Sequence, residues 1–179
     1  MHTELSAFWN SIKEEFQSAH INRGHAFRQC VLATVVGEKV NQRTVVHRGF
    51  YHSNTSLYYT DARSKKVFHL KANPNSSVLY YHPELQLQVN VSGLITTHEG
   101  DELYKKEFEK LLSLKDYSNF PPPESSISGP NDYREGISHF MVLKMKWLEV
   151  DILQLSKDGH KRAVLKRKDD LWEGSWVVP

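Results

Sequence analysis

The chain has 179 residues, 39% of them hydrophobic and 25% charged, a composition that suits one globular domain with a sizeable core. A net charge of +2 and a pI near 8.6 are too mild for a nucleic-acid coat, although KRAVLKRK near the C-terminus is locally basic; no nucleic-acid partner is expected. No apolar run approaches the length of a membrane span, and MHTELSAFWNSIKEEFQSAH lacks the basic-then-apolar order of a secretion signal, so the expectation is a cytoplasmic protein with no membrane partner.

In chain order, Leu5, Phe8, Trp9, Ile12 and Phe16 recur at spacings of three and four and predict an amphipathic helix over about residues 5–19. AFRQCVLATVV and QRTVVHRGFY are rich in β-branched and aromatic residues, with GEKVN as the turn of a hairpin between them. Cys30, the only cysteine, sits among apolar residues there and reads as a buried, inert thiol. SLYYT is a third strand, SKKVFHLKA a short helix stopped by Asn73 and Pro74, and SSVLYYH a fourth strand.

In LQLQVNVSGLITT, Leu85, Leu87, Val89 and Val91 alternate with Gln86, Gln88, Asn90 and Ser92, giving a strand whose second face is polar but uncharged. Such a face suits a binding surface or subunit contact, and equally an ordinary solvent face. ELYKKEFEKLL predicts a second amphipathic helix through Leu103, Tyr104, Phe108, Leu111 and Leu112, and residues 115–137, with four of the seven prolines, read as an irregular loop. HFMVLKMKWLEVDILQL, KRAVLKRK and DLWEGSWVVP are three further strands, with DGH in the turn between the first two. Many antiparallel strands with short helices inserted favour a mainly β protein, a barrel with peripheral helices.

The stretch YYTDARSKKVFHL, residues 58–70, places Arg63, Lys65 and Lys66 at a helix N-terminus, which is already positive through its dipole and usually takes acidic residues. With Ser64 as the N-cap, or Asp61 in competition for it, free N–H groups, a hydroxyl and ammonium groups would converge on one point, the arrangement that holds a phosphate. Arg43 and Arg48 lie on the strand expected to neighbour SLYYT, and being five apart they face opposite sides unless a bulge intervenes. Arg43 is therefore the candidate for the phosphate, with Arg48 near a ring or solvent. The ten histidines, His2, His20, His25, His47, His52, His69, His82, His98, His139 and His160, include no HExxH or other close ligand pair, and no metal is expected.

The succession R-x-V-V-x-R-G-F (43–50), L-Y-Y-T-D-x-R-S-K-K (57–66), L-K-A-N-P (70–74) and S-V-L-Y-Y-x-P-E-L-x-x-Q-V-x-V-x-G (77–93) resembles the FMN-binding split barrel of the pyridoxamine 5'-phosphate oxidase family. The resemblance implies a single split-barrel domain over residues 1–179, a homodimer, and FMN at the dimer interface. It implies that Arg43, Ser64, Lys65 and Lys66 hold the FMN phosphate and ribityl chain. The backbone at Val45 and Val46, with Arg48, would meet the flavin ring, Tyr59 and Thr60 would line the cofactor, and Gln88 would reach it from the second subunit. A cation at the flavin's pyrimidine edge would stabilise the reduced ring, and Arg48 is the candidate.

The chain also departs from the family's pattern. Lys65 stands where the oxidases often have arginine, keeping the charge without the fork, and Arg48 where they often have lysine. ELYKKEFEKLLSLKDYSNFPPPE replaces a helix whose serine-arginine-proline-arginine run holds the substrate phosphate, DGH lacks an arginine two residues before His160, and DILQL lacks a tryptophan placed over the flavin. The expectation is an FMN-dependent oxidoreductase of small molecules, and these departures count against vitamin B6 phosphate as its substrate. The rival readings are a flavin carrier, sensor or stress protein without turnover, and a haem-binding split barrel using His139 or His160.

Overall fold

The computed structural model describes residues 3–51 and 54–179; His2 and His52 of the histidine set lie outside the described residues. Helix α1 (Thr3–Ile21) buries Leu5, Trp9, Ile12, Phe16 and Ala19 along one stripe. Burying the four large members contributes roughly 1.5–3 kcal/mol each as an upper estimate. Phe16 does the most, meeting Tyr80 and Trp147 edge-on with ring centroids 4.7 Å away in both cases. After a 3₁₀ turn at Ala26–Arg28, β1 (Gln29–Val36) and β2 (Lys39–Tyr51) pair antiparallel around Gly37, whose φ of 56° a side chain would disfavour.

β3 (Thr55–Asp61), α2 (Lys65–Ala72), β4 (Asn75–His82) and β5 (Leu87–His98) follow, then α3 (Glu102–Phe108). The minor pair β6 (Asn119–Phe120) and β7 (Arg134–Glu135) precedes the three long C-terminal strands β8 (Phe140–Gln154), β9 (Lys161–Lys168) and β10 (Leu171–Val177). The main sheet runs β10-β9-β8-β3-β2-β1-β4-β5, and pairing of β5 back onto β8 closes six of these strands into an antiparallel barrel. β8 makes the closure possible because it is long enough to change partners. Residues 140–146 pair with β3 and residues 149–154 with β9, while β5 runs along its other edge from Val142 to Gln154.

The barrel interior mixes apolar side chains with a chain of hydrogen bonds. Trp147 Nε1 donates to Ser56 Oγ at 2.9 Å, Ser56 Oγ meets Tyr58 OH at 2.8 Å, Tyr58 OH meets Tyr80 OH, and Tyr80 OH reaches His47 Nδ1 at 3.3 Å. His47 Nε2 is buried without a partner, and burial, with the charges of His20, Arg28 and His25 adding to it, lowers the imidazole pKa to about 3. Because the unfolded imidazole titrates near 6.5, its contribution to stability is complete above that pH and declines as pH falls towards 3. His47→Gln should therefore shrink the loss of unfolding free energy between pH 7.5 and pH 5 by about 2 kcal/mol. Urea denaturation at the two pH values measures this, and an unchanged acid limb would show that His47 is solvated.

Cys30 is buried, with its thiol pushed up to about 12 by burial, which suits the inert role expected of it. Three expectations change. α3 ends at Phe108 rather than continuing to Leu112, which is 87% exposed. The residue it buries most deeply is Glu107, because the neighbouring barrel surface offers two tyrosine hydroxyls rather than an apolar groove. Residues 115–137 are not wholly irregular, since they hold a 3₁₀ turn at Lys115–Tyr117 and the β6–β7 ladder. Leu85 lies before β5 rather than on it and is 39% exposed. Tyr117, Phe140, Val142 and Leu57 form a second apolar cluster on the outside of β3 and β8, under α3.

Candidate functional site

β3 leads directly into α2, and the turn between them is held by a carboxylate. Asp61 Oδ1 accepts from Arg63 N at 2.8 Å, and both Asp61 oxygens accept from the Arg63 guanidinium, at 3.0 and 2.6 Å. Arg63 also donates to Asn119 O at 2.7 Å. Of the cations clustered here, Arg63 is thus spent on structure, neutralised by a buried aspartate and tying the 115–137 segment to the barrel.

Ser64 takes the N-cap position, but its hydroxyl caps nothing. It donates back to Asp61 O at 2.8 Å and meets Thr60 Oγ1 at 3.1 Å, and Thr60 Oγ1 accepts from Lys66 Nζ at 3.1 Å. Arg43, on the inward face of β2, donates to Thr34 Oγ1 at 2.7 Å, and Thr34 Oγ1 in turn meets His69 Nδ1 of α2 at 3.1 Å. Arg43, Thr60, Ser64 and Lys66 therefore gather where α2 begins. Burial lowers the pKa of both Arg43 and Lys66; the charge of Glu124 opposes this at each, and Arg43 lowers Lys66 further. Lys65 points outward, its side chain 69% exposed, and its Nζ lies 3.6 Å from Glu124 Oε2.

Arg48 occupies a different place. The β2–β3 register slips between His47 and Gly49, so Arg48 sits in a bulge, with its guanidinium 5.2 Å from the centre of the Tyr59 ring and its Nε buried without a partner. Tyr59 OH donates to Glu107 at 2.7 Å, joined by Tyr51 OH at 3.0 Å and Lys110 Nζ at 2.7 Å. Burial alone would raise the Glu107 pKa, but the hydrogen bonds from Lys110 and Tyr59 outweigh it and hold the carboxyl below its ordinary value. Val46 is half-buried and lines a small recess with Arg23 and Arg28, whereas Val45 is 8% exposed and turns its side chain into the core. Only its backbone is left to meet a ligand.

Gln88 is not part of this gathering within one chain. It is exposed on β5, separated from β2 by β1 and β4 in one direction and by β8 and β3 in the other. A roomier cavity, about 650 Å³ between α1, β5 and the Trp176 end of β10, lies apart from the cations. Chemistry, not size, makes the start of α2 the candidate site. Among the residues that sequence patterns missed, Glu124 comes from the proline-rich segment, and His20, Arg23, Arg28 and Lys110 line a cleft beside Arg48. The two arginines of INRGHAFR were the only hint, with no periodicity to mark them.

Glu15, His25 and His82 bring three ligand atoms within 4.8 Å of one another. The tautomers argue against a metal. His25 Nδ1 accepts from Phe27 N at 3.1 Å and His82 Nδ1 from Leu85 N at 3.4 Å, so both Nε2 atoms carry protons and face Glu15 Oε2 at 3.0 and 3.9 Å. The cluster ties α1 to β4. His160 is exposed, its Nδ1 accepting from Ser156 N at 3.2 Å in the β8–β9 turn, and Arg162 pairs with Asp151 at 2.8 Å. His160 thus has a turn role and Arg162 a strand-surface role.

Solved structures share this architecture. A pyridoxamine 5'-phosphate oxidase-related, FMN-binding protein of Nostoc punctiforme PCC 73102 superposes with a TM-score of 0.76 at 23% identity, over 95% of this chain and 96% of that one. PhzG of Burkholderia lata 383, solved with tetrahydrophenazine-1-carboxylic acid, gives 0.75 at 17% identity, over 95% and 91%. At these identities the likeness is one of fold. Among curated relatives, the pyridoxine/pyridoxamine 5'-phosphate oxidase of Leptospira interrogans (serovar copenhageni) is 27% identical over 144 residues, and that of Vesicomyosocius okutanii 26% over 148. These alignments take in 80% and 83% of this chain but only 65% and 61% of the relatives, so the chain spans less than two thirds of their length. Residues 6–99, more than half of the chain and including every cation gathered at α2, match the family described as pyridoxamine 5'-phosphate oxidase, FMN-binding domain, and the protein with its closed split barrel belongs to that family.

Proposed function

We propose that this protein binds FMN, with the phosphate at the N-terminus of α2, and works as an oxidoreductase. The observation that carries the reading is the placement of Arg43, Lys65 and Lys66 around one carboxylate, that of Glu124, which pairs with Lys65 and acts electrostatically on the other two. A side-chain carboxylate is the nearest thing in the chain to a phosphate oxygen pair. The donor set fits a phosphomonoester, with a guanidinium, two ammonium groups, the Thr60 and Ser64 hydroxyls, and an N-cap whose own side chain leaves the first-turn N–H groups uncapped.

Bound FMN would supply the hydride and electron exchange that no amino-acid side chain provides. The chain's own residues bind and orient. Arg43 and Lys66 neutralise the phosphate from the barrel end, while Arg48, held over Tyr59 and with its Nε unpaired, offers a fixed cation on the outer face of β2. Tyr59 is itself held by buried Glu107. A homodimer gives Gln88 a role, since its exposed position on β5 can serve a neighbouring copy's site rather than its own.

The test is the identity of the chromophore. The purified protein, or the apoprotein supplied with FMN, should be yellow and release FMN on denaturation; a colourless protein that takes up no FMN overturns the reading. Oxygen consumption or flavin bleaching with reduced nicotinamide nucleotides, pyridoxamine phosphate and other donors then separates an enzyme from a carrier.

A further inference from the structure

The β6–β7 segment reaches the start of α2 as a strap with a fixed base and a loosely held tip. At the base, Asn119 and Phe120 pair with Glu135 and Arg134, Gly136 N donates to Ser118 O at 2.6 Å, and His139 N donates to Tyr117 O at 2.8 Å. Arg63, itself held by Asp61, donates to Asn119 O and joins this base to the turn before α2. Residues 121–133 form the tip, and no apolar packing secures it: Ile127 and Tyr133 are exposed and belong to neither core cluster. Its backbone hydrogen bonds, from Ser125 N to Pro122 O at 3.2 Å and from Asp132 N to Gly129 O at 3.1 Å, stay within the tip. Among the described residues, the tip makes one ion pair with the rest of the chain, Glu124 Oε2 with Lys65 Nζ at 3.6 Å.

Glu124 makes this contact at a φ of 67°, a left-handed backbone conformation uncommon outside glycine, and its charge also acts on Arg43 and Lys66. The tip is thus held by charge rather than by burial. An exposed ion pair shifts an equilibrium by no more than about fivefold. A phosphomonoester brings about two negative charges and three acceptor oxygens to the same cations, so it outcompetes a single carboxylate. We propose that residues 121–133 are a phosphate-released strap: Glu124 tethers the tip to the cations at the start of α2, and a phosphate that takes those cations ejects the carboxylate and frees the tip. The strap slows entry of the phosphate and makes occupancy of the site visible on the protein surface. The proposal deepens the proposed function and rests on it in one respect, that the phosphate is the one carried by FMN; the tether itself does not depend on a flavin.

Cys30 is buried with its thiol pushed up to about 12, so a nitroxide attaches selectively to a cysteine introduced at the exposed tip by Ser126→Cys. In the flavin-free protein, Glu124→Gln should let this label tumble at least about twofold faster than in the parent. FMN added to the labelled parent should give the same mobile spectrum, whereas riboflavin, which lacks the phosphate, should bind and leave the strap held. Stopped-flow flavin fluorescence should show Glu124→Gln taking up FMN about two- to fivefold faster, with riboflavin uptake unchanged. A label equally mobile in the flavin-free parent and Glu124→Gln overturns the tether. FMN that binds without freeing the label, or riboflavin that frees it equally, overturns release by phosphate and leaves flavin binding intact. Failure of FMN to bind refutes the flavin reading instead, and the labelled parent titrated with phenyl phosphate then decides the proposal: release of the tip upholds it, and an unchanged spectrum overturns it.

Discussion

Replacing Arg43 and Lys66 together by alanine should weaken FMN binding by about 10²–10⁴-fold while the barrel stays folded. The figure follows from two charge-assisted hydrogen bonds at roughly 1.5–3 kcal/mol each. Lys66 takes precedence over Lys65 because of where the two point: Lys66 Nζ is drawn in against Thr60, whereas the Lys65 side chain is 69% exposed, where water screens its charge. Lys65→Ala should cost only a fewfold. Glu124→Gln should act in the opposite direction, tightening FMN several-fold, since a phosphate entering between these cations must displace the Glu124 carboxylate. Riboflavin, which lacks the phosphate, should bind the parent and all these variants alike. Fluorescence titration reads each affinity and circular dichroism the fold; equal FMN and riboflavin responses would place the phosphate elsewhere.

Gly93→Ala should destabilise the protein by about 3 kcal/mol or more, at the severe end for a single substitution. A Cβ at this position would lie 2.1 Å from the carbonyl oxygen of Lys146 and 3.1 Å from its carbonyl carbon. Both are backbone atoms of the neighbouring strand, so no rotamer change relieves the clash. The register explains the closeness: Ser92 pairs with Glu149 and Gly93 with Trp147, leaving Leu148 as the extra residue of a bulge that draws β8 against β5. Since the β5–β8 pairing is what closes the barrel, the methyl group has to prise open the seam. Gly129→Ala is the control, with nothing within 4 Å and an expected change under about 0.5 kcal/mol. Urea midpoints compare them, and a Gly93 variant as stable as the parent would mean that the seam is wider than described.

Much of the architecture was legible because it is encoded by near neighbours. The three-and-four spacing of Leu5, Trp9, Ile12 and Phe16 marks the stripe that α1 buries, and the β-branched runs either side of Gly37 mark the β1–β2 hairpin. The family motifs marked Arg43, Thr60, Ser64 and Lys66, and the fold brings these four together. Patterns misled where a polar group is buried for a partner far along the chain. Glu107 is not among the apolar positions that marked its helix, yet it is sequestered by Tyr51 and Tyr59, about fifty residues earlier. Arg63 looked like a free cation and is bound to Asp61 and Asn119.

By itself, the sequence determined the order and type of the long elements, the cation-bearing turn before α2 and the family, since local periodicity and ordered short motifs depend only on residues close in the chain. Only the tertiary structure decided how these parts meet. It is the return of β5 onto β8 that closes the barrel, the inward turn of Lys66 and outward turn of Lys65 that separate two adjacent lysines, and the arrival of Glu124 that sets a carboxylate among the cations. Arg23, Arg28 and Arg48 likewise become one surface only when the linker before β1 lies beside the β2 bulge. The physical reason is the same in each case: a charge acts through distance and burial in space, and neither can be read from separation along the chain.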